Sequence, residues 1–86
     1  MEEIMLDFDD LDFFKIFTEK RLEMVREIME MQINSIRSLA EKLDRDIKNV
    51  WDDLNLLNKA GVIGFKIQGR RKIPVVKKKR IIIMIR

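Results

Sequence analysis

The chain has 86 residues, 47% hydrophobic and 38% charged, a net charge of +3, and neither Cys nor His. A single domain of this size buries roughly 60 to 65% of its unfolded surface, so a multi-domain enzyme is excluded. Disulfides, zinc sites and His- or Cys-based nucleophile–base pairs are excluded by composition, which leaves self-association as the support for a small core.

The charges are sorted along the chain. Residues 1–32 hold ten acids and four bases, residues 33–86 hold five acids and fourteen bases, and no acid follows Asp53. Such asymmetry points the second half toward an anionic partner, with a solvated basic tail as the plainer alternative. The start Met1-Glu2-Glu3 lacks the order of a secretory leader, and no apolar run reaches the roughly 18 residues of a membrane span. A cytoplasmic protein without membrane contact is expected.

Ile4, Leu6 and Phe8 alternate with polar neighbours, predicting a short strand. Asp9, Asp10 and Asp12 end it, and Phe13, Phe14, Ile16 and Phe17 form an apolar connector that must pack on the core. The acids Asp7 to Asp12 lack the glycine and distal glutamate of a calcium loop, so no metal is expected there. Thr18 is placed to cap a first helix running to about Met31. Its apolar residues Leu22, Met24, Val25, Ile28, Met29 and Met31 spread over more than one contact stripe. The surplus arc faces either a second subunit, which predicts a homodimer, or the connector phenylalanines.

Ser35 caps a second helix with Ile36, Leu39, Ala40 and Leu43 inward. Asp44-Arg45 forms the turn, and Asp46 caps a third helix with Ile47, Val50, Leu54 and Leu57 inward and Gly61 at its close. Two short helices across a tight turn form a helix-turn-helix. The period then changes to 2: Ile63, Phe65 and Ile67 share one face, Gly69-Arg70 fits a two-residue hairpin loop, and Pro74 puts the return strand Lys72–Val76 at an edge. Ile81 to Ile85 reads as a buried strand whose partner is Ile4 to Phe8, either within one chain or across the dimer, a pairing expected to bring Asp7, Asp9 and Asp10 near Lys77 to Arg80. The architecture expected is α+β, a winged helix-turn-helix of three helices, a β-hairpin wing and a short terminal strand pair. One domain spans 1–86, with a strand and connector over 1–17, helices over 18–61, the wing over 62–76 and a basic strand over 77–86.

The run Ser35-Ile36-Arg37-Ser38-Leu39-Ala40-Glu41-Lys42-Leu43-Asp44-Arg45-Asp46-Ile47-Lys48-Asn49-Val50, continuing through Leu54, Leu57 and Ala60-Gly61-Val62-Ile63, resembles MarR-like winged helix-turn-helix regulators. Phe17 to Glu23 is similar to an archaeal subset of them. The resemblance implies a homodimeric DNA-binding regulator, in some relatives an antitoxin that also holds a protein toxin. The chain departs from the pattern at Trp51, Asp52 and Asp53.

The start of a recognition helix enters the major groove, so Lys48, Asn49, Trp51 and Asp52, with Asn55 on the same outward face, are the candidates for base edges. Lys donates to guanine, Asn pairs with adenine and Asp accepts from cytosine. Asp52 has a rival role in orienting Arg45 or Lys48, and Trp51 is either packed or against a thymine methyl. Ser35 and Arg37 at the second helix start, and Arg45 in the turn, are candidates for phosphate. Arg70, Arg71 and Lys72 at the wing tip are candidates for phosphate or the minor groove.

The expected function is a transcriptional regulator acting as a homodimer on double-stranded DNA, without cofactor and without enzymatic activity. The alternatives are an autoregulating antitoxin with a toxin partner, a winged helix used only for protein contact, and a binder of structured RNA.

Overall fold

The computed structural model describes residues 3–7, 14–78 and 80–84. In chain order the elements are β1 (Glu3–Asp7), α1 (Glu19–Glu30), α2 (Ile36–Leu43), α3 (Ile47–Lys59), β2 (Ile63–Gln68), β3 (Arg71–Val76) and β4 (Arg80–Met84). This is the winged-helix arrangement, three helices and an antiparallel hairpin, with a separate two-stranded sheet made by β1 and β4. No described helix is long and apolar enough to cross a membrane.

Local chemistry sets the helix ends. The Thr18 hydroxyl accepts from the Arg21 N–H and that of Ser35 from the Ser38 N–H, so both predicted caps satisfy a free amide of the first turn. Asp46 holds the N-cap position of α3, but its side chain makes no capping bond. Helices α2 and α3 both close in the same way. After α2 the Arg45 N–H reaches the Ala40 carbonyl and the Asp44 N–H reaches Glu41, with Asp44 left-handed at φ 52°. After α3 the Val62 N–H reaches Leu57 and the Gly61 N–H reaches Asn58, with Gly61 at φ 79°. These paired bonds occupy the last carbonyls, and the left-handed residue reverses the chain. A Cβ on Gly61 would meet no atom within 4 Å. Its replacement is therefore a test of backbone conformation alone, and Gly61→Ala should lower stability in urea unfolding by about 1 kcal/mol. A loss below a few tenths would remove the left-handed closure as the reason for glycine here.

The core draws on every helix. Met24 and Ile28 of α1, Ile33 of the loop, Ile36, Leu39 and Ala40 of α2, Val50, Leu54 and Leu57 of α3, and Val62 and Ile63 are buried. Ile16, Phe17, Val25, Leu43, Trp51, Phe65 and Val76 pack around them. The expected inward stripe of α3 holds except at Ile47, which is 38% exposed at the first residue of the helix, one turn before the buried Val50. The apolar arc expected for the first helix divides: Met24 and Ile28 are inside, whereas Leu22, Met29 and Met31, the last just past the end of α1, are exposed.

The wing pairs Ile63 with Val76 through to Gln68 with Arg71, leaving Gly69-Arg70 as the loop. Gly69 has φ 63° and Arg70 no positive φ, as a two-residue loop with glycine first requires. Burial falls along β2 from Ile63, fully buried, to Ile67, 65% exposed. The hairpin leaves the body as it extends, so Ile67 is not on a covered face as the alternation suggested.

The terminal strand pairing is present within the chain, over Ile4–Asp7 against Ile81–Met84; Phe8 and Ile85 lie outside the described residues. It is parallel, with Glu3 opposite Arg80 and Asp7 opposite Met84. Parallel direction carries Asp7 away from the basic stretch, which corrects the expected neighbourhood of Asp7 and Lys77 to Arg80. Asp9, Asp10 and Asp12 lie outside the described residues.

Candidate nucleic-acid interface

One face of α3 is built to meet a polar surface. Lys48, Asp52, Asn55 and Lys59 recur every three or four residues and are exposed, as is Asn49 beside them. The opposite face is anchored by Val50, Leu54 and Leu57, so the outward side chains stand on a fixed helix. They offer donors and acceptors of the kinds that base edges distinguish.

The wing carries cations without a compensating acid. Lys66, Arg70, Arg71, Lys72 and Lys77 are exposed, and no acidic residue follows Asp53. After β3 the chain is tied back by N–H groups of Lys77 and Lys78, both donating to the Val62 carbonyl. That bond holds the wing base against the end of α3.

Trp51 joins the two parts. Its ring lies 5.9 Å from that of Phe65 on β2, and the Lys72 ammonium of β3 stands 5.9 Å from the Trp51 centroid and 5.6 Å from that of Phe65. Aromatic packing and cation–π attraction therefore couple α3 to both strands of the wing. Of the two roles open to Trp51 in the sequence, the structure shows packing. Lys48 stands one helical turn before Trp51, while Arg70 and Arg71 follow the hairpin beyond Lys72 to its tip.

The second helix is less uniform. Arg37 is exposed and lines a shallow cleft with Glu41, Asp44, Arg45, Asp46 and Ile47. The Ser35 hydroxyl is engaged by the Ser38 amide, and Ser38 Oγ donates to the Ser35 carbonyl at 2.9 Å. Arg45 turns inward: its Nη1 lies 2.8 Å from Asp53 Oδ2. The carboxylate that meets Arg45 is thus Asp53 and not Asp52, whose side chain is exposed. Asp53 also accepts from Arg21 Nε at 2.9 Å. Neither Arg21 nor Asp53 is apparent as a site residue in the sequence, although one signal was there. Asp53 falls three residues after Val50 and four before Leu57, on the inward stripe, and a buried carboxylate requires a partner.

Comparison with known proteins agrees with the fold. The family model HVO_A0114 matches residues 16–83. No curated protein matches the chain. Among solved structures, the homodimeric winged helix-turn-helix DNA-binding domain (fragment 1–100) of Mb0332 from Mycobacterium bovis, described as a possible ArsR-family transcriptional regulator, superposes with a TM-score of 0.68 at 13% identity. The match covers 83% of this chain and 69% of that one, and at this identity it establishes the shared winged-helix fold.

Proposed function

Because the chain belongs to the HVO_A0114 family and has the winged-helix fold, we propose that it is a transcriptional regulator that binds double-stranded DNA as a homodimer. The exposed face of α3 reads bases in the major groove, and the wing grips the backbone. The observation that carries this reading is the joint of Trp51, Phe65 and Lys72, which sets an acid-free cationic wing beside the polar face of α3. Lys48, Asn49, Asp52 and Asn55 take the base edges. Arg37, Arg70, Arg71 and Lys72 take phosphate, with Lys72 moving between the rings and the backbone. The similarity of residues 35–63 to MarR-like regulators supports the same assignment.

Titration of random duplex tests it. Binding should be measurable at about 50 mM salt and should fall at least about tenfold by 200 mM, because each phosphate neutralised adds roughly −0.9 to the slope of log K on log salt. Binding that is absent at low salt, or indifferent to salt, would assign the fold to protein contact instead.

The dimer reading is supported by the exposed Leu22 and Met29 of α1 and Met31 just after it, and by the apolar groove of Ile28, Met29, Ile33, Pro74 and Val75 beside them. Apolar surface of this kind on a small domain is a place for association. The Mb0332 domain is itself homodimeric. Sedimentation at micromolar concentration should show twice the 10.4 kDa chain mass. A single species at the chain mass would refute the dimer.

A further inference from the structure

The recognition helix has one charged residue on its buried side. Asp53 is 9% exposed, and its two oxygens are held by arginines from different segments, Arg21 of α1 and Arg45 of the turn. The two arms are unequal. Arg21 Nε makes an aligned bond to Oδ1, and Arg21 Nη1 donates to the carbonyls of Ile16 at 3.2 Å and Lys15 at 3.4 Å. That guanidinium is anchored on the connector and on α3 together. Arg45 Nη1 pairs with Oδ2 at 2.8 Å and has no further acceptor.

This difference has a functional direction. Arg45 leads into α3 from the turn and lines the same cleft as the exposed Arg37. A side chain there that is released from Asp53 reaches a nearby phosphate by rotating about its own bonds. Removing the carboxylate charge leaves two guanidiniums without their anion, and a partly buried unpaired charge turns toward the next available one. Beside the acids of that cleft, Glu41, Asp44 and Asp46, bound DNA offers phosphate, and a contact to it raises affinity equally for every sequence.

We propose that Asp53 is a positioning residue for DNA recognition, fixing α3 against α1 and the turn while holding Arg45 off the phosphate backbone. Specificity is gained in two ways: the reading helix keeps one angle, and one sequence-blind contact is withheld. The inference rests on the DNA-binding reading above and deepens it, since Asp53 itself touches no DNA.

The test uses the full chain with Asp53→Asn, Arg45→Gln and the double variant. Each is titrated at several salt concentrations against a site selected from random duplex and against a scrambled duplex, with thermal unfolding as a check on folding. Asp53→Asn should bind the selected site at least about tenfold more weakly and the scrambled duplex no more weakly, with a salt slope steeper by about 0.9 per protomer. Arg45→Gln alone should leave the slope unchanged, and the double variant should return to the parental slope. A merely structural role for Asp53 would weaken both duplexes together at an unchanged slope, which overturns the proposal. A shallower slope for Arg45→Gln alone also overturns it, because Arg45 would then already lie on phosphate. Should Asp53→Asn fail to fold, Arg45→Gln is read on both duplexes: an unchanged slope with reduced preference for the selected site over the scrambled duplex supports the proposal, and a shallower slope or an undiminished preference overturns it. If the parent chain binds neither duplex, the DNA reading fails and takes the proposal with it; if the parent binds and Asp53→Asn keeps the parental slope, the proposal alone fails.

Discussion

Replacing Lys48 and Asn49 together by alanine should weaken binding to a selected site by roughly 1 to 3 kcal/mol for each base edge no longer read, while binding to scrambled duplex changes far less. Both side chains are exposed at the start of α3, the part of a recognition helix that enters the groove, and neither contributes to the core. Replacing Arg70 and Arg71 should act differently. These residues occupy the tip of the hairpin, next to a glycine whose φ of 63° makes the two-residue loop, and phosphate contacts from such a tip carry no sequence information. Their removal should weaken binding to all duplexes alike and reduce the salt slope by about two per protomer. The measurement is a salt titration of both double variants on both duplexes. Equal losses on the two duplexes for the helix variant would refute its reading role. An unchanged slope for the wing variant would leave Arg70 and Arg71 as solvated loop residues.

Leu54→Ala should have the largest effect on the fold itself. Leu54 is 0% exposed at the centre of α3, and truncation of a leucine so placed removes about 2 to 5 kcal/mol through reduced burial and a residual cavity. A domain of this size has only about 5 to 10 kcal/mol to lose, so thermal unfolding should move down by at least about 8 °C. Ile67→Ala is the matched control: that side chain is 65% exposed, and its change should stay within about 0.5 kcal/mol. A loss below about 1 kcal/mol at Leu54 would contradict the packing of α3 on α1 and α2.

Much of this fold was legible in the sequence because its signals are local. Helices α1 to α3 follow from apolar residues spaced three and four apart behind Thr18, Ser35 and Asp46, and the wing from the change of period after Gly61. Gly61 and Gly69 stand where a left-handed residue is needed. The parts that were hidden depend on direction or distance. The alternation of Ile4–Phe8 and the unbroken apolar run Ile81–Ile85 fit parallel and antiparallel pairing equally, so the direction that separates Asp7 from the basic stretch could not be read. Ile47 fits the inward stripe by angle, and only its place at the very start of the helix exposes it. On the site, the outward face of α3 and the wing tip followed from periodicity and charge. The joint of Trp51 with Phe65 and Lys72 did not, because a border position on a helical wheel does not reveal its neighbour. The Asp53 pairings escaped for the same reason, since Arg21 lies 32 residues away in the chain.

The parallel pairing of β1 with β4 also orders events in time. Ile4 sits opposite Ile81, so nearly the entire winged helix intervenes between two strands that touch. During synthesis β1 emerges first and has no partner until residue 80 and its successors have followed. The pair α2 and α3 and the hairpin of β2 and β3 are made by neighbours in sequence and form early, whereas closure of so long a loop comes late. A nascent chain arrested after the wing therefore holds a folded body with the β1 edge uncovered, which is the species a chaperone would meet.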